Sequence, residues 1–353
     1  MFTKELLSKK SSWEFLQSTD SSIILYGTGN GADKVLDKFA KLGIKIKEVA
    51  ASRNFVRKRD FRGYTVKPIN EILNEYHNPV IALGFATSVS EVIEEIKALC
   101  KTHKVIMPVV PVFGETVFDR EYVENNKEEL EKSRSLLFDE ESKRVFDNMV
   151  HFQFTGDLSY LFSAESSRTD ALINILNLNS KEYMLDLGAY RGDTIEELIT
   201  LTGGYSHITA FEPDRKTFEK LTDYAKDKVN STLYPYAVWN EAKELTFSGG
   251  GGRQSSLDEN GKYTVLARDV DSVIKDAPIS YLKADVEGVE AEMLKGAEHL
   301  LKTQKPKLSI SCYHKTEDLC TLIPLIHSIN SDYKIYLRHH PYIPFWDTNL
   351  YCI

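Results

Sequence analysis

Short apolar runs alternate with stretches of helical periodicity along most of the chain. In its first part these runs are residues 22–26, 44–50, 79–84 and 104–107, and later ones are residues 183–187, 207–211, 232–238, 281–284 and 307–312. Helical patterns precede and separate them, among them residues 4–18, 35–42, 89–101, 217–226, 290–301 and 316–329. Because strands that alternate with helices form parallel sheets, the pattern predicts an α/β protein with two Rossmann-like domains.

The segment between the two alternating regions has a different pattern. Residues 115–150 are charged and helix-prone, with widely spaced apolar positions. We therefore expect an N-terminal domain over residues 1–114, a helical linker over residues 115–150 and a second domain over residues 151–353. The linker helices either pack against a second subunit, which would make a homodimer, or are solvated.

A glycine-rich turn follows the first strand of the N-terminal domain. It reads Gly-x-Gly-x-x-Ala over residues 27–32, as in nucleotide-binding folds. The next strand lacks the acid that would bind a dinucleotide ribose and ends at Ala51-Ser52-Arg53. Nearby basic side chains could receive a phosphate or form a solvated turn; they are Arg53, Arg57, Lys58, Arg59 and Arg62. A structural or substrate-presenting role is favoured over nucleotide binding.

A second glycine turn stands at the start of the C-terminal domain. The strand over residues 183–187 contains Asp186, and Gly188 and Gly192 frame the turn that follows. Asp193 or Thr194 can cap the next helix. An acid at this position would repel a pyrophosphate but suits S-adenosylmethionine (SAM), which carries a sulfonium and an ammonium group.

The next strand also ends in an acid. Glu212 and Pro213 follow residues 207–211, roughly 20 residues after the glycine turn. A carboxylate at this spacing is placed to accept both ribose hydroxyls, which SAM keeps free. A helix-capping Asp186 and a solvated Glu212 are the less favoured interpretation.

A third motif indicates the family. Residues 283–290 read Lys-Ala-Asp-Val-Glu-Gly-Val-Glu, after Asp-Leu-Gly-Ala-x-x-Gly-Asp-Thr at residues 186–194 and Phe-Glu-Pro at residues 211–213. In this order the motifs resemble the FkbM family of SAM-dependent methyltransferases, over roughly residues 150–353. The resemblance implies a class I methyltransferase domain, with a seven-stranded sheet that finishes in an antiparallel hairpin.

The resemblance and the strand ends together predict the residues that bind SAM. We expect these to be Asp186, Gly188, Ala189, Tyr190, Gly192, Thr194, Glu212, Pro213, Ala237, Val238 and Asp285. Ala237 and Val238 are expected beside the adenine, whereas Trp239 is at least as readily a core residue.

Catalysis requires a base if the acceptor is a hydroxyl. His314 follows the strand over residues 307–312 and has an ordinary pKa near neutral pH, so it is the first candidate, before Asp285 and Glu287. The same three side chains could hold Mg²⁺ or Mn²⁺, but no compact ligand motif demands a divalent metal. A metal-free site is therefore favoured.

Other polar residues are candidates for binding the acceptor. Glu290 and Tyr313 are expected at the same cleft. Residues 244–247 and 263–267 are expected to pair as a hairpin, and in its loop over residues 248–256 four consecutive glycines precede Arg253, Gln254 and Ser255. That loop is either a substrate-ordered lid or a hairpin tip. The aromatic stretch over residues 151–169 could roof the pocket, although core packing is favoured for each aromatic residue.

Composition narrows the class of protein. The net charge of −8 argues against nucleic-acid binding. No apolar run approaches the about 20 residues of a membrane span, and residues 1–10 lack a signal-peptide pattern. The scattered cysteines, Cys100, Cys312, Cys320 and Cys352, indicate reduced thiols in the cytoplasm.

These observations predict a cytoplasmic SAM-dependent O-methyltransferase. Its expected acceptor is a hydroxyl of a sugar, nucleotide-sugar or glycan, and its expected role is in bacterial surface-polysaccharide biosynthesis. Two other classes stay open: a catalytically inactive SAM-binding or scaffold protein, and a nucleotide-linked oxidoreductase that uses the N-terminal domain.

Overall fold

The computed structural model of the chain describes residues 2–52, 60–248, 256–257 and 263–353. The chain divides into two compact units. The first comprises Met1–Arg134, Lys143–Glu165 and His339–Asp347, and the second comprises Ser135–Ser142, Ser166–Arg338 and Thr348–Ile353. The predicted linker is largely helical; the predicted domain limits at residues 114 and 150 stay a prediction.

The first unit alternates helices and strands, as its sequence pattern predicts. In chain order the elements are α1 (Phe2–Leu7), α2 (Ser12–Ser18), β1 (Ile23–Tyr26), α3 (Asn30–Leu42), β2 (Glu48–Ala51), β3 (Asp60–Phe61), β4 (Tyr64–Pro68), α4 (Ile69–Glu75), β5 (Val80–Leu83), α5 (Ser90–Thr102), β6 (Lys104–Ile106), α6 (Arg120–Asn125), α7 (Lys127–Leu136), α8 (Glu140–Thr155) and α9 (Leu158–Ser163).

These strands form a mostly parallel sheet in the order β3-β4-β2-β1-β5-β6. Strand β1 pairs parallel with β2 and β5, whereas β3 and β4 are antiparallel. Every residue of β1 and β5 is buried, as expected for central strands covered on both faces. Trp13, Phe39 and Ile106 belong to the core of this unit.

The second unit continues the alternation. Its elements are α10 (Arg168–Asp170), a π-helical turn (Ala171–Ile175), β7 (Tyr183–Leu187), α11 (Asp193–Thr202), β8 (His207–Phe211), α12 (Arg215–Ala225), β9 (Ser231–Tyr234), β10 (Ala237–Val238), β11 (Lys243–Ser248), β12 (Ser256–Leu257), β13 (Tyr263–Arg268), α13 (Val270–Ile274), β14 (Tyr281–Ala284), α14 (Glu290–Gly296), α15 (Glu298–Thr303), β15 (Lys307–Ser311), α16 (Asp318–Ile329), β16 (Ile335–His339) and β17 (Thr348–Cys352).

The main sheet of the second unit has seven strands in the order β16-β17-β15-β14-β7-β8-β9. Strand β7 lies between β14 and β8 and is parallel to both. Strand β17 is antiparallel to β15, so the sheet ends in an antiparallel hairpin of β16 and β17. This confirms the predicted fold, and it brings the carboxyl ends of β14, β7 and β8 to one edge.

A smaller sheet contains the predicted hairpin. Its order is β10-β13-β11-β12, and β11 pairs antiparallel with β13, as predicted. The single strand predicted over residues 232–238 is instead two strands, β9 in the large sheet and β10 in the small one. Pro235 lies between them and has no N–H to donate to either ladder.

Two predicted helices are each divided in two. Residues 4–18 form α1 and α2, because Ser11 begins a new helix through a capping box with Glu14. Residues 290–301 form α14 and α15. There the Asp271 carboxylate accepts the His299 and Leu300 N–H groups at 2.8 and 2.9 Å, which caps the start of α15.

Candidate active site

The loop after β7 is a backbone arrangement that requires glycine. Gly188 has a φ of +78°, and a Cβ on it would lie 2.0 Å from the Asp285 carbonyl oxygen. The Gly188 and Ala189 N–H groups both donate to the Phe211 carbonyl, at 3.0 and 2.9 Å. Gly192, at a φ of +88°, is the N-cap residue of α11, and the Asp193 carboxylate accepts the Thr194 N–H at 3.0 Å, so Asp193 satisfies a donor of the first turn as predicted. The loop is tied to the ends of β14 and β8.

Glu212 joins this loop to the end of β8. One carboxylate oxygen accepts the Tyr190 N–H at 3.0 Å and the other accepts the Asp214 N–H at 2.8 Å. Burial raises the pKa of Glu212 to about 7. Each oxygen keeps capacity for a further hydrogen bond, which is what the two donors of a ribose diol require.

Asp186 has a different environment from the one predicted. It is fully buried, and its Oδ1 lies 3.2 Å from Lys283 Nζ. Lys283 also donates to the Gly188 carbonyl at 2.9 Å. Burial raises the pKa of Asp186 despite this lysine, and burial opposes the raised pKa of Lys283, which Asp186 and Asp285 produce. Lys283 therefore joins the buried Asp186 carboxylate to the backbone of the glycine loop.

Lys283 is a residue of the site for which the sequence motif suggested no role. It stands directly opposite Asp186 in the parallel pairing of β14 and β7. Opposite charges at paired positions of adjacent strands can indicate such an ion pair, but only when the order of the strands in the sheet is known.

The side predicted to hold adenine is built by β8, β10 and β13. Ala237 and Val238 are 7% and 4% exposed, and Pro213 is half-buried. The Tyr263 hydroxyl donates to the Asp214 carboxylate at 2.6 Å. Since Asp214 follows Glu212 by two residues, this bond attaches the small sheet to the end of β8.

An acidic cluster surrounds His314 beyond the end of β15. Glu290 Oε1 lies 2.8 Å from Nδ1, while Asp285 Oδ1 and Glu287 Oε2 lie 3.4 and 3.5 Å from Nε2. His314 is 2% exposed and Glu290 is 1% exposed. Although burial alone would lower it, these three carboxylates raise the pKa of His314 to about 10. The predicted candidates for the base thus lie together, with Glu290 added.

The carboxyl groups of this cluster differ from one another. Burial raises the pKa of Glu287 to about 7. Asp285 accepts the Tyr313 hydroxyl at 3.1 Å, and although burial opposes it, His314 and Lys283 lower its pKa. Asp318, on α16, has a pKa raised to about 7 by burial and by Glu290.

Glu287 also has an unusual backbone. Its φ is +54°, and Gly288 follows at +90°. Non-glycine residues in this left-handed region carry a cost of about 1–3 kcal/mol and occur often at functional sites. About a third of the Glu287 side chain is exposed, at 32%, so it can meet a ligand.

The acidic cluster around His314 also has the spacing of metal ligands. Asp285, Glu290 and His314 each place one ligand-type atom within 4.8 Å of the others. The set of Asp285, Glu287 and His314, which the sequence offered only as a less favoured alternative to a metal-free site, differs from this one by one residue. Glu290 Oε1 faces Nδ1 at 2.8 Å, so Nε2, which faces Asp285 and Glu287, is the ring nitrogen that could bind a metal.

The remaining predicted residues fall into two groups. Arg253, Gln254 and Ser255, and the basic residues Arg53, Arg57, Lys58 and Arg59, lie outside the described residues. Arg62 is described, and it pairs with Asp37 and, at 3.8 Å, with Asp33 on α3. In the stretch over residues 151–169, Phe152 and Phe154 are fully buried, which fits the favoured core role.

The N-terminal glycine turn also has a tight backbone. Gly27 has a φ of +135°, and a Cβ on Gly31 would lie 2.9 Å from the Gly84 carbonyl oxygen. At the end of β2, the Ser52 hydroxyl is bonded to the Tyr26 hydroxyl at 2.6 Å. A hydroxyl pair thus stands where a dinucleotide fold would place its ribose-binding acid.

The helices of the described ranges do not include a membrane span. None of them combines the length and apolar character needed to cross a bilayer.

The chain is similar to known proteins in structure, whereas no curated protein matches its sequence. One similar crystal structure is that of methyltransferase FkbM from Methylobacillus flagellatus KT, at 20% identity and a TM-score of 0.72, covering all of this chain and 93% of that one. This likeness shows the fold.

Weaker structural matches cover about half of the chain. One is a precorrin-6y C5,15-methyltransferase from Geobacter metallireducens GS-15, at 12% identity and a TM-score of 0.34, covering 54% of this chain and 91% of that one. Another is Aeropyrum pernix fibrillarin with natively bound S-adenosyl-L-methionine, at 13% identity and a TM-score of 0.34, covering 50% and 67%.

The sequence matches a protein-family model over most of the second unit. Residues 186–342 match the family model described as the methyltransferase FkbM domain. They include the glycine loop, Glu212 and the cluster around His314. The chain therefore contains a region, residues 186–342, that matches the methyltransferase FkbM domain.

Proposed function

We propose that the protein is a SAM-dependent O-methyltransferase. The observation that carries the proposal is the joined arrangement of the Gly188–Gly192 loop and Glu212, whose carboxylate accepts the Tyr190 N–H at 3.0 Å. SAM, when bound, supplies a methyl group already activated on a sulfonium. The residues present fit it, because Glu212 retains acceptor capacity for a diol and its loop is free of side chains at Gly188.

The roles within the cofactor site follow from burial. Glu212 would hold the ribose, and Ala237, Val238 and Pro213 would flank the adenine. Asp186 is fully buried, so we propose that it acts on SAM through Lys283 and the loop. Ala189, Tyr190 and Thr194 would line the turn, and Asp285 would face the methionine end.

The proposed acceptor is a hydroxyl of a sugar, a nucleotide-sugar or a glycan. The acidic cluster at the end of β14 supports a hydroxyl acceptor, because such a group must lose its proton to a base within hydrogen-bond reach. The FkbM family and the Rossmann-like first unit motivate the sugar and a role in surface-polysaccharide biosynthesis. A cytoplasmic location and a homodimer through residues 115–150 belong to the same proposal.

The test of the acceptor is methyl transfer from isotopically labelled SAM. Purified protein is offered separate pools of monosaccharides, nucleotide-sugars, oligosaccharides and small phenols. We expect the label in a sugar-containing pool. After hydrolysis of the glycosidic bonds, it should be recovered as a methyl ether on a monosaccharide. Label in phenols alone would contradict the sugar acceptor, and tight SAM binding without transfer to any pool would favour the inactive scaffold.

The oxidoreductase alternative has less support. Its ribose-binding acid is replaced by the bonded Tyr26 and Ser52 hydroxyls. A rise in the melting temperature on addition of nicotinamide cofactors, with no rise on addition of SAM, would favour the oxidoreductase over the methyltransferase.

A further inference from the structure

His314 has two different sides in the acidic cluster. Glu290 Oε1 lies 2.8 Å from Nδ1, while Asp285 Oδ1 and Glu287 Oε2 lie 3.4 and 3.5 Å from Nε2. A histidine that binds a metal through one ring nitrogen commonly has a carboxylate at the other, which fixes the orientation of the ring. The two sides of His314 therefore have the pattern of a metal ligand and its supporting acid.

We propose that a divalent cation, Mn²⁺ or Mg²⁺, binds at His314 Nε2, with Asp285 and Glu287 as its carboxylate ligands. Glu290 is then a positioning residue. This reverses the preference for a metal-free site that the sequence suggested. The sequence has no compact ligand motif because the ligands follow two different strands, β14 and β15, which become neighbours only in the folded sheet.

The distances at Nε2 fit ligands of one ion. A small divalent cation binds nitrogen and oxygen at about 2.0–2.2 Å, so neighbouring ligands on it lie roughly 3.0–3.5 Å apart. The separations of Nε2 from Asp285 and Glu287 are at the upper end of this range. These two carboxylate side chains are 37% and 32% exposed, so they can adjust toward an ion and leave it open to a further ligand.

Glu290 supplies an independent observation. Its Oε1 accepts the Val286 N–H at 3.1 Å and faces His314, whereas its Oε2 is buried without a hydrogen-bond partner in the part of the chain that the structure describes. A buried carboxylate oxygen in this state is unfavourable unless a positive charge lies nearby. With 1% of its surface exposed, Glu290 cannot meet an acceptor, as the sequence had suggested it would.

Negative charge also accumulates around the proposed site. Asp318, at the start of α16, adds a fourth carboxyl group to the three that surround His314. Lys283 acts on two of these groups, but it is shared with the buried Asp186, 3.2 Å away. A divalent cation would offset acidic charge in a region that is largely removed from water.

The ligand types indicate which cation fits. Carboxylate oxygens suit both Mg²⁺ and Mn²⁺, whereas an imidazole nitrogen suits transition metals. Mg²⁺ also gives up its water ligands reluctantly. We therefore expect the site to bind Mn²⁺ more tightly than Mg²⁺.

The role of the ion, unlike its binding, rests on the proposed O-methyl transfer. The Asp285 carbonyl lies against Gly188 of the glycine loop, so the ion would be next to the proposed SAM site. A cation with an open position can hold the hydroxyl oxygen of an acceptor in a fixed place. Because Nε2 would then be a metal ligand, His314 would not be the base.

The test is titration of Mn²⁺ into the full chain after treatment with a chelator and removal of the chelator. Electron paramagnetic resonance (EPR) of free Mn²⁺ measures affinity and stoichiometry, and pulsed EPR of protein with ¹⁵N-labelled histidine detects a ring nitrogen bound to the ion. We expect a single Mn²⁺ per chain, coupled to a histidine nitrogen, and loss of this coupling in His314→Gln.

The variants should rank by their place around the ion. Glu290→Gln removes only the supporting acid, so it should weaken Mn²⁺ binding by roughly 10–100-fold. Asp285→Asn and Glu287→Gln each remove a ligand and should weaken it more. Glu292 is a matched control on the same helix as Glu290, where it pairs with Lys295 at 2.7 Å, so Glu292→Gln should leave the affinity unchanged.

Several results would overturn the proposal. Wild-type protein that does not bind Mn²⁺, or that binds it without a coupled histidine nitrogen, has no such site. Binding that survives unchanged in His314→Gln, or equal effects of Glu290→Gln and Glu292→Gln, would contradict the assigned residues. If His314→Gln does not fold, the wild-type coupling and the two glutamate variants still decide.

These measurements need neither SAM nor an acceptor. Their failure is therefore distinct from the failure of the proposed function, which SAM binding and methyl transfer decide. Methyl transfer that persists in excess chelator would contradict the role of the ion and leave the proposed function standing.

Discussion

At the scale of single residues, the site is organised by charges that have been removed from water. Asp186 and Lys283 are both buried and lie 3.2 Å apart beneath the glycine loop. Breaking a buried pair is far more destabilising than its net contribution suggests, because the remaining charge has no partner. The sequence indicated Asp186 as a ligand group, whereas the structure makes it half of a supporting pair.

We expect Lys283→Met to destabilise the protein by roughly 3–5 kcal/mol in urea denaturation, since Asp186 is then buried without a counter-charge. Lys295→Met is the control. Lys295 pairs with Glu292 on the exposed face of α14, so its loss should cost less than about 1 kcal/mol. The double variant Asp186→Asn/Lys283→Met should recover part of the stability. An equal loss of stability in Lys283→Met and Lys295→Met would contradict the role of the Asp186–Lys283 pair.

The affinity for SAM should depend on pH through Glu212. Its pKa of about 7 in the free protein means that the carboxyl is protonated below that pH, whereas a ribose diol is best accepted by the carboxylate. Binding should therefore strengthen as pH rises to about 7, and it should release protons at neutral pH. Calorimetry in buffers of different ionisation enthalpy measures this release, which Glu212→Gln should reduce. A wild-type affinity that is flat between about pH 5.5 and 8 would contradict this.

At the scale of elements, the site depends on how three strand ends approach one another. Gly188 lies against the Asp285 carbonyl after β14, and its N–H donates to the Phe211 carbonyl of β8 at 3.0 Å. The two glycines and the strand-end acids could be predicted because each is a local pattern of a few residues. The pairing of Lys283 with Asp186 could not, because it depends on β14 lying next to β7. The burial of Glu290 could not be predicted either, because it depends on which face of α14 is turned toward the interior.

Gly188→Ala should weaken both folding and SAM binding. The added Cβ would lie 2.0 Å from a backbone oxygen, so strain and overlap together should cost roughly 2–5 kcal/mol. Gly203→Ala isolates the effect of strain, because Gly203 has a similar φ of +79° and an added Cβ there would meet no atom within 4 Å. It should cost only about 1 kcal/mol and leave SAM binding unchanged. Denaturation and titration of both variants measure the difference.

At the scale of the whole chain, two units each contain their own mostly parallel sheet, and the region that matches the FkbM domain lies in the second except for residues 339–342. The alternation of strands and helices sufficed to predict two mostly parallel sheets, because the hydrophobic period reports directly on which segments are buried, whereas the antiparallel hairpin that ends the second sheet was expected from the family resemblance. It could not predict that residues 339–347, between the last two strands, would be grouped with the first unit. That grouping comes from contacts between segments far apart in the sequence, such as the ring contact of Phe345 with Phe152.

The most direct measurement is calorimetric titration of SAM into the wild-type protein, Glu212→Ala and the control Glu219→Ala. Glu219 is exposed on α12, where it pairs with Arg215, so its loss should leave affinity unchanged. Loss of two ribose hydrogen bonds to Glu212 should cost roughly 3 kcal/mol, about a hundredfold in affinity. Saturable wild-type binding that weakens in this way only in Glu212→Ala is the predicted result. Wild-type protein that does not bind SAM, or binding that survives in Glu212→Ala, would contradict the proposed cofactor site.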